Sequence, residues 1–322
     1  VNLRLDARIV GLLVAALGAT QLLLVLVALA FGDPLLPYLA SGAICVGCGL
    51  GLALPSRPTE RSIRPRDAFL VVGAGWALAS VAGAVVYLTT GILGPVDALF
   101  ESVAGFTTTG STVMTDIEAA PRTLLLWRSF TQWLGGMGII LFTVAVLPLL
   151  GIGGMQLFRI EVPGPVKDKV RPRVIQTARS LWGVYVGLTL LETIALILAG
   201  LSPFDAINHS FTTLATGGFS TRNASVGAYG LPAVEWIVIV FMALAGVNFV
   251  LHFRLLSHGP ASVWRDAELR YYLFVLAAAT LVVAWILPAD QAPSLEATLR
   301  NALFSVVSIT TTTGYGTVDL ER

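Results

Sequence analysis

Three short stretches rich in threonine and glycine carry the chemistry that this sequence can do. They are Gly105-Phe106-Thr107-Thr108-Thr109-Gly110-Ser111-Thr112, Thr212-Thr213-Leu214-Ala215-Thr216-Gly217-Gly218-Phe219-Ser220-Thr221 and Ser308-Ile309-Thr310-Thr311-Thr312-Thr313-Gly314-Tyr315-Gly316-Thr317. Each holds a Thr-Gly pair followed by small or aromatic residues and a hydroxyl, and each lies beyond a long apolar run. Such residues suit the replacement of a cation's water shell by oxygen ligands. Backbone carbonyls are uncharged and numerous enough to do this, and glycine adopts the unusual dihedral angles that aim several of them inward. Threonine adds hydroxyl oxygens. The candidate cation-binding residues are Thr108, Thr109, Gly110 and Ser111; Ala215, Thr216, Gly217 and Gly218; and Thr312, Thr313, Gly314 and Tyr315. A single copy would read better as a turn between helices. Three copies in one context, at intervals of about a hundred residues, favour the lining of an ion pathway.

The elements that must position these stretches are membrane helices. Of 322 residues, 56% are hydrophobic and 12% charged. Soluble domains carry about 25% charged residues, so this chain lacks the polar side chains to cover a water-facing surface. Apolar runs of about 20 residues, the length that crosses a bilayer, place spans near residues 9–31, 35–54, 68–88, 124–150, 181–201, 234–253 and 271–287. Three further segments end at the Thr-Gly stretches. The first opens on Gly94-Pro95-Val96-Asp97, with Asp97 set to cap a helix. At about ten residues it is too short to span at roughly 1.5 Å per residue, so it should dip into the membrane and return. Pro203-Phe204-Asp205 opens a second segment of the same kind, and residues 294–308 form a longer third. Irregular backbone at membrane depth is tolerated only where protein buries it or it lines a water-filled cavity. The preceding short helix would turn its partly negative C-terminal end toward a cation.

The fold class expected is therefore an all-α polytopic membrane protein of span–re-entrant helix–span units. Residues 1–67 hold two N-terminal spans and an Arg-rich loop, 68–157 a first unit, 158–258 a linker and second unit, and 259–322 an incomplete third. Most of the 20 Lys and Arg lie within 57–66, 159–173 and 254–270, with Arg4 and Arg8 at the start. By the positive-inside rule these regions face the cytoplasm and all three Thr-Gly stretches face outward.

Other residues admit chemistry less readily. Cys45 and Cys48 have C-x-x-C spacing, but with no further Cys or His nearby they read as buried small residues on one face of a span. Glu101, Asn208 and Glu192 fall in re-entrant segments or spans, where a polar group is a functional hypothesis by default. Glu101 either bonds the nearby filter backbone or attracts cations, or it simply packs. Asp116, Glu118, Asp319 and Glu321 follow the stretches on the outer side, as cation-concentrating groups or as solvated loop charges. Arg128 reads as snorkelling to the interface or pairing with a carboxylate. His209, His252 and His258 lack metal-ligand spacing, and the last two suit an interface. Gly135-Gly136-Met137-Gly138 follows no strand, so it reads as close helix packing or a bend rather than a phosphate loop. Gly151-Ile152-Gly153-Gly154 should loosen the inner end of that span. No nucleophile–base or metal constellation points to an enzyme.

Thr312-Thr313-Gly314-Tyr315-Gly316 resembles the TVGYG filter of potassium channels. The repeated unit, with its Thr-Thr-Thr-Gly and Ala-Thr-Gly-Gly-Phe-Ser-Thr forms, resembles the Trk/Ktr/HKT cation-transporter superfamily along essentially the whole chain. Within it, the bacterial potassium-uptake subunits also carry two extra N-terminal helices. The resemblance implies a potassium-channel-like pore of four such units in one chain, with one key glycine per unit, here Gly110, Gly217 and Gly314. It implies potassium as the transported and filter-bound ion, no other cofactor and no nucleic acid. It further implies a homodimer in the bacterial inner membrane, N-terminus cytoplasmic, seated on a nucleotide-binding regulatory ring of TrkA type. Relatives with Ser at the first glycine tend to admit sodium, so Gly110 favours potassium; a sodium or sodium-coupled transporter of the same family is the alternative. The fourth unit is not within these 322 residues, nor is the second span of the third, which carries the family's gating loop. The expectation is a piece of a longer transporter, or a truncated scaffold that does not transport alone.

Overall fold

The computed structural model describes residues 2–56, 65–146, 170–287 and 294–317, and among them the regular structure is entirely helical. Helix α1 (Leu3–Phe31) starts where the Asn2 side chain accepts the Leu5 N–H and stops at Gly32, which takes a left-handed conformation at φ 75°. It forms a hairpin with α2 (Leu36–Ala53). The two backbones lie so close that a Cβ on Gly49 would stand 2.4 Å from the Ala15 nitrogen. Small residues allow this, and in lipid such packing supplies much of what holds helices together. Cys45 is buried there, its thiol facing the Ala82 carbonyl, whereas Cys48 is exposed. The expectation that both are buried is corrected: the face that buries Cys45 against α3 ends before Cys48.

Next come α3 (Pro65–Thr90), the short α4 (Pro95–Phe106), α5 (Arg122–Val146), α6 (Val170–Leu198) and the short α7 (Pro203–Leu214). After them follow α8 (Pro232–Ala245), α9 (Phe249–His258), α10 (Ala261–Trp264), α11 (Ala267–Ile286) and α12 (Leu295–Thr310). Every expected span but that at 234–253 is one helix over nearly all of its described length. Among the described residues five helices are long and apolar enough to cross a membrane, and a sixth span results if α8 and α9 are taken together. Helix α5 has the length, at 25 residues, but it is not among them. Its Arg128, Ser129, Thr131 and Gln132 are polar, and all are buried. Lipid-facing surface is apolar, as Leu26, Leu198 and Trp285 show.

Two expectations about local structure are corrected. Residues 234–253 do not form one straight span: α8 and α9 meet at 94° across Gly246-Val247-Asn248. The polar groups freed by the break find partners, as a break at membrane depth requires. The Asn248 side chain accepts the Val250 N–H. The Tyr272 hydroxyl donates to the Ala243 carbonyl at 3.1 Å, and His252 Nε2 to that of Leu244 at 2.9 Å. His252 is thus buried at the break rather than set at an interface. In α4 the N-cap is Gly94, not Asp97, because Pro95 takes the first helical position, where its missing N–H costs nothing. Helix α7 starts likewise on Pro203, capped by Ser202, whose hydroxyl accepts the Asp205 N–H and donates to its carboxylate.

Candidate functional site

Each short helix, α4, α7 and α12, ends in the same backbone figure. The threonine two residues past the helix is left-handed: Thr108 at φ 55°, Thr216 at 51° and Thr312 at 60°. Two residues further on, Gly110, Gly218 and Gly314 are left-handed again, at 77°, 73° and 83°. Positive φ in a β-branched residue is a genuine outlier and costs energy that the surroundings must offset. Its purpose follows from the hydrogen bonds. The N–H groups of Thr109 and Gly110 both turn back to the Ala104 carbonyl, at 3.0 and 3.4 Å. Those of Gly217 and Gly218 turn to Thr212, and those of Thr313 and Gly314 to Ser308. Alternating handedness gathers successive N–H groups on one side, and among the described residues no backbone N–H donates to the carbonyls of residues 108–111, 215–218 or 312–315.

The structural counterpart of Gly110 and Gly314 is therefore Gly218, not Gly217. Gly218 stands as far from Asp205 as Gly110 does from Asp97. Gly217 occupies the place of Thr109 and Thr313. The three figures are also in contact in series. A Cβ on Gly110 would sit 1.9 Å from the Gly217 oxygen, and one on Gly218 would sit 1.8 Å from the Thr313 oxygen. On Gly314 it would meet nothing within 4 Å among the described residues.

Helix α5 forms the seam between the first two figures. A Cβ on Gly135 would stand 2.0 Å from the Phe106 oxygen at the end of α4. One on Gly136 would stand 2.9 Å from Ala215 Cα at the end of α7. These glycines serve close packing, as their sequence context suggested. One and two turns earlier on this helix face, Gln132 and Arg128 reach the second stretch. Gln132 Nε2 donates to the Gly217 carbonyl at 2.7 Å, and its Oε1 accepts the Phe219 N–H at 3.1 Å. Arg128 donates to the Ser220 carbonyl at 2.9 Å and lies 3.6 Å from the centre of the Phe219 ring.

Arg128 also pairs with Glu101 of α4, Nε to Oε1 at 2.6 Å, with both side chains buried. Glu101 in turn accepts the Thr112 hydroxyl and the Val113 N–H. Of the readings considered for Glu101, it bonds the chain just past the first stretch; Arg128 pairs with a carboxylate rather than snorkelling. The same position of the second unit holds His209, which bonds Ser220 through Nε2 at 3.1 Å. A charged brace on the first stretch thus has a second-unit counterpart made with a hydroxyl.

The seam between the second and third figures has different chemistry. The Tyr315 hydroxyl contacts the Thr212 and Thr213 hydroxyls and donates to the His209 carbonyl at 3.2 Å. Its ring belongs to an apolar cluster with Met242, Val238, Phe304 and Val307. The Ser308 hydroxyl donates to the Tyr315 carbonyl.

Outside the stretches, Asp116 and Glu118 are not free to gather cations. Asn223 donates to Asp116 at 3.0 Å, and Arg222 to Glu118 at 3.2 Å, which ties the loop after the first stretch to the loop after the second. The Asn223 bond, with those from the Ala119 and Glu118 backbone, holds the Asp116 carboxyl below its ordinary range. Arg222 also reaches Asp205, 3.6 Å away. Asn208 donates to the Phe204 carbonyl. Glu192 is fully buried, and neither carboxyl oxygen makes a hydrogen bond, although Thr213 lies alongside. Asp319, Glu321, Gly151-Ile152-Gly153-Gly154 and most of the basic loops at 57–66 and 159–173 lie outside the described residues. Among the described residues no group of His, Cys, Asp and Glu could hold a metal ion.

Gln132 escaped sequence reasoning altogether. The available signal was the polar or small series Arg128, Thr131, Gln132, Gly135, Gly136, whose spacing lays one stripe along a helix.

Comparison with known proteins places this arrangement. The family model for TrkH, described as a cation transport protein, matches residues 38–322. The Trk system potassium uptake protein TrkH of Vibrio parahaemolyticus is 42% identical over 318 residues, 96% of this chain and 66% of that protein. The protein of that name from Escherichia coli K12 is 40% identical over 100% of this chain and 68% of its own length. TrkG of the same strain is 36% identical over 85% of this chain and 57% of its own. The crystal structure of the potassium transporter TrkH from Vibrio parahaemolyticus superposes with a TM-score of 0.87 at 37% identity, covering 98% of this chain and 66% of that one. The chain thus spans about two thirds of the length of the TrkH relatives it matches.

Proposed function

Since this chain belongs to the TrkH family of cation transport proteins, we propose that it conducts potassium as the membrane subunit of a Trk-type uptake system. The cation passes the carbonyls of Thr108 to Ser111, Ala215 to Gly218 and Thr312 to Tyr315. One observation carries this reading: the strained threonine and left-handed glycine recur at matched positions in all three stretches, with the N–H groups turned back onto the pore helices. Strain repeated three times signals a shared task, and carbonyls left without a backbone N–H donor among the described residues suit a cation that has shed its water. The short helices add the partial negative charge of their C-terminal ends.

The family resemblance also supports the finer assignments. The protein works as a homodimer in the bacterial inner membrane, with its N-terminus and basic loops inside and the three stretches outside. A cytoplasmic ring of TrkA type docks on those loops.

The test is cation flux with the protein purified from its native membrane and reconstituted in lipid vesicles. Uptake of potassium that exceeds sodium uptake is the expected result. Equal or greater sodium flux would move the reading to the sodium branch. No flux of either ion, with intact dimers, would replace it by a non-transporting scaffold. Gly110→Ser should lower the potassium preference, and an unchanged ratio counts against the assignment of Gly110.

A further inference from the structure

The three stretches share a backbone but not the means of holding it. In the first, the Thr107 and Thr109 hydroxyls bond each other at 2.8 Å, and Thr107 donates to the Val103 carbonyl of its own helix. In the third, Thr311 and Thr313 do the same at 2.8 Å, and Thr311 donates to Val307. The second stretch has Ala215 and Gly217 at these two positions, so it has no hydroxyl pair. A side chain from elsewhere fills the place. The Cβ that Gly217 lacks would lie 2.3 Å from Gln132 Cδ, and Gln132 is fully buried.

The neighbouring seam shows the converse. Helices α5 and α8 each lay a glycine against the residue that follows the next pore helix: a Cβ on Gly136 would stand 2.9 Å from Ala215 Cα, and one on Gly246 would stand 2.8 Å from Thr311 Cγ2. One turn earlier, α5 carries Gln132 and α8 carries Met242. Met242 is fully buried and apolar, beside a stretch that has its own hydroxyl pair. A wall helix supplies an amide where the stretch lacks hydroxyls and a thioether where it has them.

We propose that Gln132 is the positioning residue of the second stretch and sets its selectivity, replacing the missing threonine pair. Its amide holds the Gly217 carbonyl and the Phe219 N–H on either side of Gly218, and so fixes how far that stretch can yield around a smaller ion. A carbonyl has two lone pairs, so the bond from Gln132 leaves Gly217 able to take part in cation coordination. The inference rests on the reading of the stretches as a potassium filter.

The experiment compares potassium-to-sodium flux ratios of the reconstituted protein and three variants, each checked for helix content and dimer elution. Gln132→Ala frees both backbone groups and should lower the ratio about tenfold, the effect of losing a buried bond or two. Gln132→Glu keeps an acceptor for Phe219 but loses the donor to Gly217, and should fall between; it carries the test if the alanine variant does not fold. The triple variant Gln132→Met, Ala215→Thr, Gly217→Thr installs the third stretch's chemistry in the second and should bring the ratio back toward wild type. An unchanged ratio in folded Gln132→Ala or Gln132→Glu overturns the inference, as does a triple variant no better than Gln132→Ala. Wild-type protein without cation flux overturns the pore reading instead, so the two failures are distinct.

Discussion

The two seams of the pore differ in kind, although the same architectural unit builds both. Between the first and second stretches the seam is polar, with a buried ion pair and an amide, all carried or met by α5. Between the second and third it is an apolar cluster from which the Tyr315 phenol crosses to the second stretch. Both hold a glycine against the carbonyl of the next stretch at less than contact distance for any side chain. The shared backbone therefore does not prescribe how it is held; what each stretch lacks decides what its neighbour must provide. A polar seam costs desolvation and demands complete pairing, while a mainly apolar seam tolerates more.

This contrast can be broken most forcefully at Arg128. Arg128→Met strands the buried Glu101 and should destabilise the protein by roughly 3–5 kcal/mol, read from unfolding in detergent. Adding Glu101→Gln should recover much of the loss, because two neutral groups replace the pair. A single variant as stable as wild type would mean the polar seam is not maintained by its charges. Second in size is the glycine series. Gly110→Ala and Gly218→Ala meet carbonyl oxygens and a left-handed backbone together, and flux should fall at least tenfold. Among the described residues Gly314→Ala meets nothing, which leaves the left-handed cost of about 1–2 kcal/mol. Equal losses at all three would show that a further segment faces Gly314 in the working transporter.

Tyr315→Phe probes the apolar seam and should cost about 1–3 kcal/mol, since the His209 carbonyl loses a buried donor. An effect as large as that of Arg128→Met would erase the distinction between the seams. The smallest effect lies in the loops that follow the first two stretches. Asp116 is held below the ordinary aspartate value of 3.8 by its Asn223 bond. Its contribution is therefore complete above that value and is lost as pH falls through the depressed one. Asn223→Ala should flatten the stability profile in that acidic window and leave neutral pH nearly unchanged.

Much of this was legible in the sequence, for reasons that also explain what was not. Apolar run length marks a span without reference to any neighbour, and Pro95 and Pro203 announce helix starts locally. The register of the second stretch was misread because Thr216-Gly217 matches Thr109-Gly110 by residue type. The backbone instead requires a second left-handed residue two positions after the first, which makes Gly218 the counterpart. Gly246 and Asn248 do carry a break signal, but apolarity around them suggested continuity. Gln132, Arg128 and Tyr315 each also reach a partner in another unit, and no local pattern points across a seam.

The seams also say where this chain could be cut and rejoined. Each wall helix belongs by connectivity to one unit but shapes the stretch of the next. A graft from a relative that exchanged the second stretch alone would bring Ala215 and Gly217 to a foreign α5, or a threonine pair to Gln132. The transferable piece is residues 122–220, the wall helix together with the stretch that it braces. Positions 132 and 217 should change hands as one unit of inheritance, although they belong to different repeats.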